Sequence, residues 1–459
     1  MACGLRPPEP ELVSVVVGLV AEAGDVRARN AAVEVLGGWG LAAVMALSAR
    51  LGDFDADALK LAVEALGRTR RPEALGVLGK LMAHGDSNVA VAATEAVLTL
   101  APVGTEAAVD LLRGALSSSL ELQRLAALDG LNQLGVTVQW ALIEPWFEIR
   151  PLQRVAWLAA SRIADERVAR PLVSACVTAS ASAWHEALTA LGGYVGQGPM
   201  TLQAARRAFA GVSTDVRSRL LQTLSETDEV DVRRSVILVL GAWGDAACLQ
   251  AVLDSLDDDE VAEYAEEALR GMGSIAIEAL VVAARHAEAE RRTRSLKLLA
   301  ELAVGDPREA SLGAVGEAAL QDEDVEVQAA GCEVLARSGT AHSCRLLLQV
   351  TSEATDAALA VAAGRALGAL ASRWPRQCAA LVEPLTPECP AALGAVIVLR
   401  ALGAVAQGEE LPPPSTVAHR QAARTLGELG AVEFLRQVVA HHENPRAREA
   451  ALVTLADSG

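Results

Sequence analysis

The chain has 459 residues, of which 52% are hydrophobic and only 3% aromatic, and its formal net charge at pH 7 is −18. A surface this acidic repels phosphate polyanions overall, so we expect no nucleic-acid partner. No segment approaches the roughly 18 uninterrupted apolar residues of a membrane span, and the short apolar run at 12–20 follows prolines and glutamates instead of a basic segment. We therefore expect neither membrane insertion nor a signal peptide.

A short motif that ends in Leu-Gly recurs along the chain at nearly equal intervals. It occurs at Val33–Gly37, Val63–Gly67, Leu188–Gly192, Leu238–Gly241 and Arg365–Gly368. Over most of the chain, successive motif leucines lie 29 to 33 residues apart. A unit of this length cannot bury its own apolar face, so the repeat is typical of a solenoid built by stacking.

Each repeated unit is predicted to hold two helices. Its apolar residues recur at helical and not at alternating spacing, as at Val232, Val236, Val239 and Leu240. A unit of roughly 30 residues accommodates a turn between two helices of about 10 to 14 residues each. The predicted fold class is therefore all-α, an α-solenoid without strands.

The ends of the predicted helices carry two kinds of residue. Several apolar runs follow an aspartate whose carboxylate is expected to cap the first N–H groups of a helix: Asp215, Asp231, Asp259 and Asp324. The glycine after the motif leucine, such as Gly37, is expected either to end the first helix in a left-handed conformation or to allow a close backbone approach.

An arginine position completes the repeat. Aligned on the motif leucine, Arg29, Arg124, Arg233 and Arg448 all lie seven residues before it. The resulting pattern, V-R-x-x-A-x-x-A-L-G, resembles the short HEAT repeats of the phycobilin-lyase type, and the resemblance covers most of the chain. It implies a superhelix of about 12 helix pairs. Proteins with HEAT-like repeats are in general scaffolds and adaptors, with a few enzymes among them.

The repeat spacing breaks once in the middle of the chain. Leu191 and Leu240 are 49 residues apart, and an additional helical pattern lies between them at 216–224. We interpret this segment as a bend between two arms. The predicted domains are an N-terminal arm, residues 1–198, and a C-terminal arm, residues 199–459.

A second break lies near the end of the chain. Consecutive prolines at 412–414 cannot continue a helix, so we predict an irregular loop at residues 407–416. A final helix is predicted from about Arg446 to Leu455. In this scheme it has no partner helix, and it is either a terminal capping helix or a docking element.

Six arginines crowd around the mid-chain break: Arg206, Arg207, Arg217, Arg219, Arg233 and Arg234. One hypothesis is a small patch that binds an anion or a carboxylate. Acidic residues lie among them in the sequence, so the alternative is a solvated surface whose charges pair locally.

An acidic run follows, and its central members are Asp257, Asp258, Asp259 and Glu260. Stacking would bring such turns together along one edge, where they would steer a partner with a basic surface. The alternative is that they cap helices and keep the surface hydrated.

Four aromatic residues fall together where the repeat is least regular: Trp140, Trp146, Phe147 and Trp157. Aromatic side chains concentrated on an alanine- and leucine-rich scaffold are candidates for a binding hot spot. The alternative is that the rings fill a gap left by irregular helix packing.

Two enzymatic alternatives follow from the family resemblance. His185-Glu186 resembles one of the His-Glu pairs of deoxyhypusine hydroxylase, a di-iron HEAT-repeat enzyme, but equivalent positions such as Arg124-Leu125 hold no metal ligand. A di-metal site needs about four to six ligands from several helices. Bilin lyases share the repeat type, but no residue here marks a bilin pocket. We predict no catalytic residue, no metal site and no cofactor.

Composition also indicates where the protein works. The seven cysteines are scattered without C-x-x-C spacing, which favours buried thiols in a reducing cytosol. Lysine is nearly absent while alanine, glycine, valine and leucine abound, a bias that indicates a G+C-rich bacterial genome. We therefore predict a cytoplasmic bacterial scaffold or adaptor, which presents a concave face made by the second helices to a protein partner.

Overall fold

The computed structural model describes residues 9–21, 26–303, 309–374, 377–378, 381, 396–398 and 431–457. Within these segments the regular secondary structure is helical and contains no strand, which confirms the predicted all-α class. The chain divides into two compact units, Met1–Val216 and Arg217–Gly459. The predicted domain boundary at 198/199 lies inside the first unit, and the predicted loop at 407–416 lies outside the described residues.

In the first unit the helices alternate between two layers. One layer holds α1 (Pro10–Ala21), α3 (Leu41–Arg50), α5 (Glu73–Leu81), α7 (Thr105–Ala115), α9 (Trp140–Ile143), α11 (Glu166–Thr178) and α13 (Pro199–Ala208). The other layer carries the repeated motif or its equivalent and holds α2 (Val26–Gly38), α4 (Ala56–Arg68), α6 (Ser87–Leu100), α8 (Glu121–Gln133), α10 (Gln153–Ala160) and α12 (Trp184–Val195). We call the helices of the layer that carries the repeated motif the motif helices.

The second unit repeats the arrangement. Its motif helices are α15 (Val230–Trp243), α17 (Ala262–Met272), α19 (Ala289–Leu302), α21 (Val325–Ser338) and α23 (Ala357–Arg373). The alternate helices are α16 (Ala246–Asp254), α18 (Ile277–Ala283), α20 (Glu309–Ala319) and α22 (Ala341–Glu353). The helix α14 (Thr214–Glu226) precedes them, and α24 (Ala431–His441) and α25 (Pro445–Asp457) follow.

Short 3₁₀ turns extend or connect several of these helices. They lie at Leu51–Asp53, Ala101–Val103, Glu144–Glu148, Ala181–Ala183, Ser255–Asp257 and Gly273–Ile275. Tight turns of this kind are common at helix termini, where they satisfy backbone groups that the helix leaves free.

The motif leucines form the centre of the stack. Leu36, Leu66, Leu191, Leu240 and Leu367 are all 0% exposed. Burying a leucine side chain contributes about 1.5–3 kcal/mol. The periodicity in the sequence therefore marks the residues that hold consecutive units together.

The glycine after the motif leucine does not end its helix. Gly37, Gly67 and Gly241 lie inside α2, α4 and α15, and none of them is among the residues with positive φ. Each instead allows a close approach: a Cβ atom at Gly37 would lie 2.6 Å from Arg68 Cβ, and one at Gly241 would lie 2.6 Å from Ala268 Cβ. Of the two expected roles, the helix-ending role is wrong for these three glycines and the packing role is right.

The predicted aspartate caps are correct at one of four positions. Asp324 accepts hydrogen bonds from the backbone N–H groups of Glu326, at 2.8 Å, and Val327, at 3.2 Å. Asp215 and Asp231 lie within the first turns of α14 and α15, and Asp259 precedes Val261, which is the N-terminal flanking residue of α17. A carboxylate in the first turn still interacts favourably with the positive end of the helix dipole.

Two further predictions concern single helices. The additional helix predicted at 216–224 is present as α14. The final helix, α25, does have a partner, because it packs against α24. The prediction that it lacks one is wrong, since α24 supplies the neighbour that the sequence pattern did not reveal.

Candidate protein-binding surface

The motif helices pack more closely on one another than most of the alternate helices do. In the first unit, α2, α4, α6 and α8 pack closely on one another, whereas α1, α3, α5 and α7 contact their layer neighbours far less. The same difference separates α15, α17, α19, α21 and α23 from the alternate helices of the second unit. A stack bends towards the layer with the closer spacing, which favours the motif helices, the first helices of the predicted units, for a concave face. The prediction that the second helices form that face stays a prediction.

An open cleft of about 650 Å³ lies on the face of the motif helices between α4 and α6. Small or buried side chains form its apolar part, namely Val63, Ala92 and Ala96, together with the backbone at Gly67. The hydroxyl of Thr99 donates to the carbonyl oxygens of Ala96, at 2.7 Å, and Gly67, at 3.3 Å. The cleft therefore exists because a glycine and small residues bring two motif helices together with little side-chain filling above them.

Charged side chains surround the apolar part of the cleft. Lys60, Glu64 and Arg68 are spaced four residues apart along α4, and Glu95 faces them from α6. Arg68 Nη2 pairs with Glu64 Oε1 at 2.7 Å, and Lys60 Nζ pairs with Asp57 Oδ1 at 2.8 Å. The Asp57 carboxylate raises the pKa of Lys60, mainly through this hydrogen bond.

The cleft also includes Arg70, which lies in the turn after α4. Both Arg70 and Glu95 are exposed. Within the part of the chain that the structure describes, neither side chain has an ion pair or a hydrogen bond. One cation and one carboxylate of the cleft are therefore free to bind a partner.

The sequence did not single out the residues of this cleft. The spacing of Lys60, Glu64 and Arg68 is visible in the sequence, but charges four residues apart are also typical of any solvated helix face. Only the packing of α4 against α6 shows that these charges border an apolar cleft.

The aromatic group lies in the interior of the first unit. Trp140, Trp146, Phe147 and Trp157 are 4%, 4%, 9% and 5% exposed. Trp140 and Phe147 meet edge to face with ring centroids 5.2 Å apart, and the Arg124 guanidinium lies 5.7 Å from the centre of a Trp146 ring. The helix at this position, α9, has only four residues. The rings therefore occupy space that a longer helix fills elsewhere, and a partner-binding role for them stays a prediction.

The acidic run is paired with arginines of neighbouring motif helices. The pairs are Asp257 with Arg291, Asp258 and Glu260 with Arg233, and Asp259 with Arg294. Arg291 Nη1 lies 2.5 Å from Asp257 Oδ2, and the Arg291 side chain is only 9% exposed. These contacts link α15 and α19 to the turn between α16 and α17. The carboxylates thus support stacking, and their role in attracting a basic partner stays a prediction.

The six arginines belong to different units. Arg206 and Arg207 lie in the first unit and the other four in the second. Four of the six hold carboxylates of their own unit: Arg207 with Glu166, Arg217 with Asp245, Arg233 with Asp258, and Arg234 with Asp231. Arg206 and Arg219 have interactions of their own as well. Anion binding by this group stays a prediction, and its ion pairs favour the alternative of a locally paired surface.

The His-Glu pair considered for metal binding is exposed on α12. Glu186 pairs with Arg154 at 3.0 Å instead of facing a second ligand group. Over the described residues, no three His, Cys, Asp or Glu side chains form a group that could hold a metal ion. Of the cysteines, Cys176, Cys248, Cys332, Cys344 and Cys378 are buried, as predicted, while Cys3 and Cys389 lie outside the described residues.

Among the helices described, none is long and apolar enough to cross a membrane.

Part of the chain matches a known protein family. Residues 44–132 match the family of HEAT repeats. This segment contains α4, α6 and the cleft between them. A comparison with curated proteins finds no significant match.

Solved structures support the architecture. A homology model of the full-length AP-3 complex is similar over 98% of this chain and 93% of its own, with 12% identity and a TM-score of 0.53. The fold is an all-α solenoid, and residues 44–132 of it match HEAT repeats. Importin beta is similar over 98% of this chain and 81% of its own, with 12% identity and a TM-score of 0.43. At these identities the likeness concerns the fold alone.

Proposed function

We propose that this chain is a non-catalytic scaffold or adaptor that binds a protein partner on the concave face of its motif helices. The observation that carries the proposal is the open cleft between α4 and α6, which combines an apolar floor with free charges on that face. A groove of this composition suits a protein segment, because apolar contact supplies affinity and the charges at its border set orientation.

Several finer points belong to the same proposal. The repeats are of the phycobilin-lyase type, and the protein is cytoplasmic and bacterial, on the basis of the motif and the composition. The net charge of −18 favours a partner with a basic surface, because long-range attraction raises the rate of association. The AP-3 structure, which is similar in fold, is by its description part of a complex.

Affinity capture from the cytosol of the source cells tests this function. The wild-type chain is compared with a concave-face variant, Lys60→Glu combined with Glu95→Lys, and with a control variant, Glu106→Lys on α7. All three positions are partly or fully exposed, so the folds are expected to remain intact. We expect one protein in near-stoichiometric amount with the wild type and the control, and its loss with the concave-face variant. Failure of the wild type to retain any protein would overturn the proposal, as would equal retention by all three chains.

A further inference from the structure

In the turn after α4, a residue other than glycine takes a positive φ. At the equivalent place, four residues after the motif leucine, four of the described repeats have a glycine with positive φ, of 55° at Gly40, 69° at Gly135, 69° at Gly244 and 62° at Gly273. Gly339 lies at the same place with φ of −68°, and some repeats have another residue there, such as Pro102. After Leu66 the same position is Arg70, with φ of 51°. No other non-glycine residue in the described segments has a positive φ.

A left-handed conformation is unfavourable for arginine and costs glycine almost nothing. A turn in this conformation therefore prefers glycine, and four repeats have it. The arginine side chain must contribute something that offsets the unfavourable backbone. Strain of this kind is found most often at functional sites.

The residue before Arg70 is anchored beside the cleft. Thr69, the preceding residue, is 5% exposed, and its hydroxyl donates to the Leu66 carbonyl oxygen at 2.6 Å. The Arg70 side chain is exposed and lines the cleft, and no carboxylate of the described chain pairs with it. An internal structural role, in which Arg70 would bind another part of its own repeat, is therefore not what offsets the strain.

We propose that Arg70 binds an acidic side chain of an extended protein segment that lies in the cleft between α4 and α6. This inference rests on the proposed function and adds the chemistry of the partner. Glu95, also free, pairs with a basic side chain of the same segment. An arginine is suited to this role because its planar guanidinium can hold a carboxylate through two parallel hydrogen bonds.

A polyanion fits the cleft less well than a protein segment does. Glu64 and Glu95 both line the cleft, and the wall between them is apolar. Of the three cations at the cleft, Lys60 and Arg68 already pair with Asp57 and Glu64. A phosphate-rich ligand would therefore find one free cation and two carboxylates, whereas a segment with one acidic and one basic side chain can pair with both free charges and cover the apolar wall. The occupant is therefore a peptide segment of mixed charge.

Selection from a phage library of random dodecapeptides on the full-length chain tests the inference. The wild type is expected to enrich peptides with an Asp or Glu and a Lys or Arg a few residues apart. Arg70→Gly is the decisive variant, because it restores the residue that other repeats use. It should weaken binding of a synthetic selected peptide at least tenfold, measured by fluorescence anisotropy, while the thermal unfolding midpoint stays equal to or above that of the wild type.

Gly135→Arg is the matched control. It places an arginine in the same turn position of another repeat, where no atom lies within 4 Å of the added Cβ. It should lower the unfolding midpoint and leave peptide binding unchanged.

Several results would overturn the inference: no enrichment by the wild type, enriched peptides without acidic residues, equal binding by Arg70→Gly, or a lower midpoint for Arg70→Gly. Displacement of the peptide by inorganic phosphate at constant ionic strength would identify a general anion site and would also overturn it. If the partner captured from cytosol binds the concave face and binds the Arg70→Gly variant as well as the wild type, the inference fails and the proposed function stands.

Discussion

At the scale of single residues, the glycine after the motif leucine controls how closely two motif helices approach. A Cβ atom at Gly241 would lie 2.6 Å from Ala268 Cβ and 2.8 Å from Ala268 Cα. The second contact is to backbone, so the helices themselves would have to move. Gly76 in α5 is different, since no atom lies within 4 Å of an added Cβ there.

Substituting alanine at these two glycines should have opposite effects. Gly241→Ala is expected to lower the free energy of unfolding by about 1–3 kcal/mol, because overpacking outweighs the better helix propensity of alanine. Gly76→Ala is expected to raise it by about 0.5–1 kcal/mol. Urea unfolding of both variants measures the difference. A stabilising Gly241→Ala substitution would contradict the packing described for the motif helices.

The sequence alone could assign glycine to two roles but could not choose between them. Gly241 is followed by Gly244, and only the second has a positive φ, of 69°. Both are glycines near the end of one helix, and the difference depends on Ala268 of the next motif helix. Arg70 shows the same limit. Aligned on the motif leucine it lies where several repeats have glycine, but only its φ of 51° shows that its turn takes the same positive φ.

At the scale of helices, an ion pair joins the motif helix α19 to the turn before the next motif helix, α21. Arg292 of α19 donates to both carboxylate oxygens of Asp322, at 2.9 Å and 2.7 Å. The two side chains are 16% and 17% exposed. This bidentate contact holds the pKa of Asp322 below its ordinary value of 3.8, with the hydrogen bond to Arg292 as the main cause.

Asp322→Asn is expected to lower the free energy of unfolding by about 1–3 kcal/mol at pH 7, since a hydrogen bond to a charged group is lost. Because the folded-state pKa of Asp322 is lowered, its contribution is fully present above pH 3.8, the ordinary Asp pKa, and is lost as the pH falls through the folded-state value. The stability difference between wild type and variant should therefore shrink below that pH. Urea unfolding between pH 7 and pH 2.5 checks this, and a difference independent of pH would contradict it.

The helix α14 is the least buried of the helices around the mid-chain break. Leu220 is its single buried residue, whereas nine residues are buried in α15. A helix with little tertiary burial is stabilised weakly, because propensity alone rarely holds a helix of this length in water. We expect the backbone amides of α14 to exchange with deuterium at least tenfold faster than those of α15. Mass spectrometry of peptides from both helices measures this, and equal protection would contradict the expectation.

The sequence predicted that the repeat around the aromatic group is irregular, but not that the rings are buried. The sequence correctly indicated that the repeat is irregular near Trp140, and Pro145 lies in a 3₁₀ turn there. It could not tell whether rings in an irregular repeat face the interior or the solvent. That depends on the shortness of α9, which leaves space for Trp146 beneath Arg124.

At the scale of the whole molecule, the repeat length was sufficient to predict the fold class. A period of about 30 residues leaves few architectures open, because each unit must bury its apolar face against the next. The placement of charges was harder to predict, since a carboxylate such as Asp257 finds its arginine, Arg291, 34 residues later in the chain. Such pairs depend on the stacking of neighbouring units, which the sequence shows only in outline.

Hydrogen–deuterium exchange of the full chain, with and without the partner retained by affinity capture, shows whether a protein partner binds the face of the motif helices. We expect slower exchange in peptides from α4 and α6 when the partner is bound, and unchanged exchange in α5 and α7. Protection confined to α5 and α7, or no protection in the motif helices of either unit, would mean that the partner binds elsewhere.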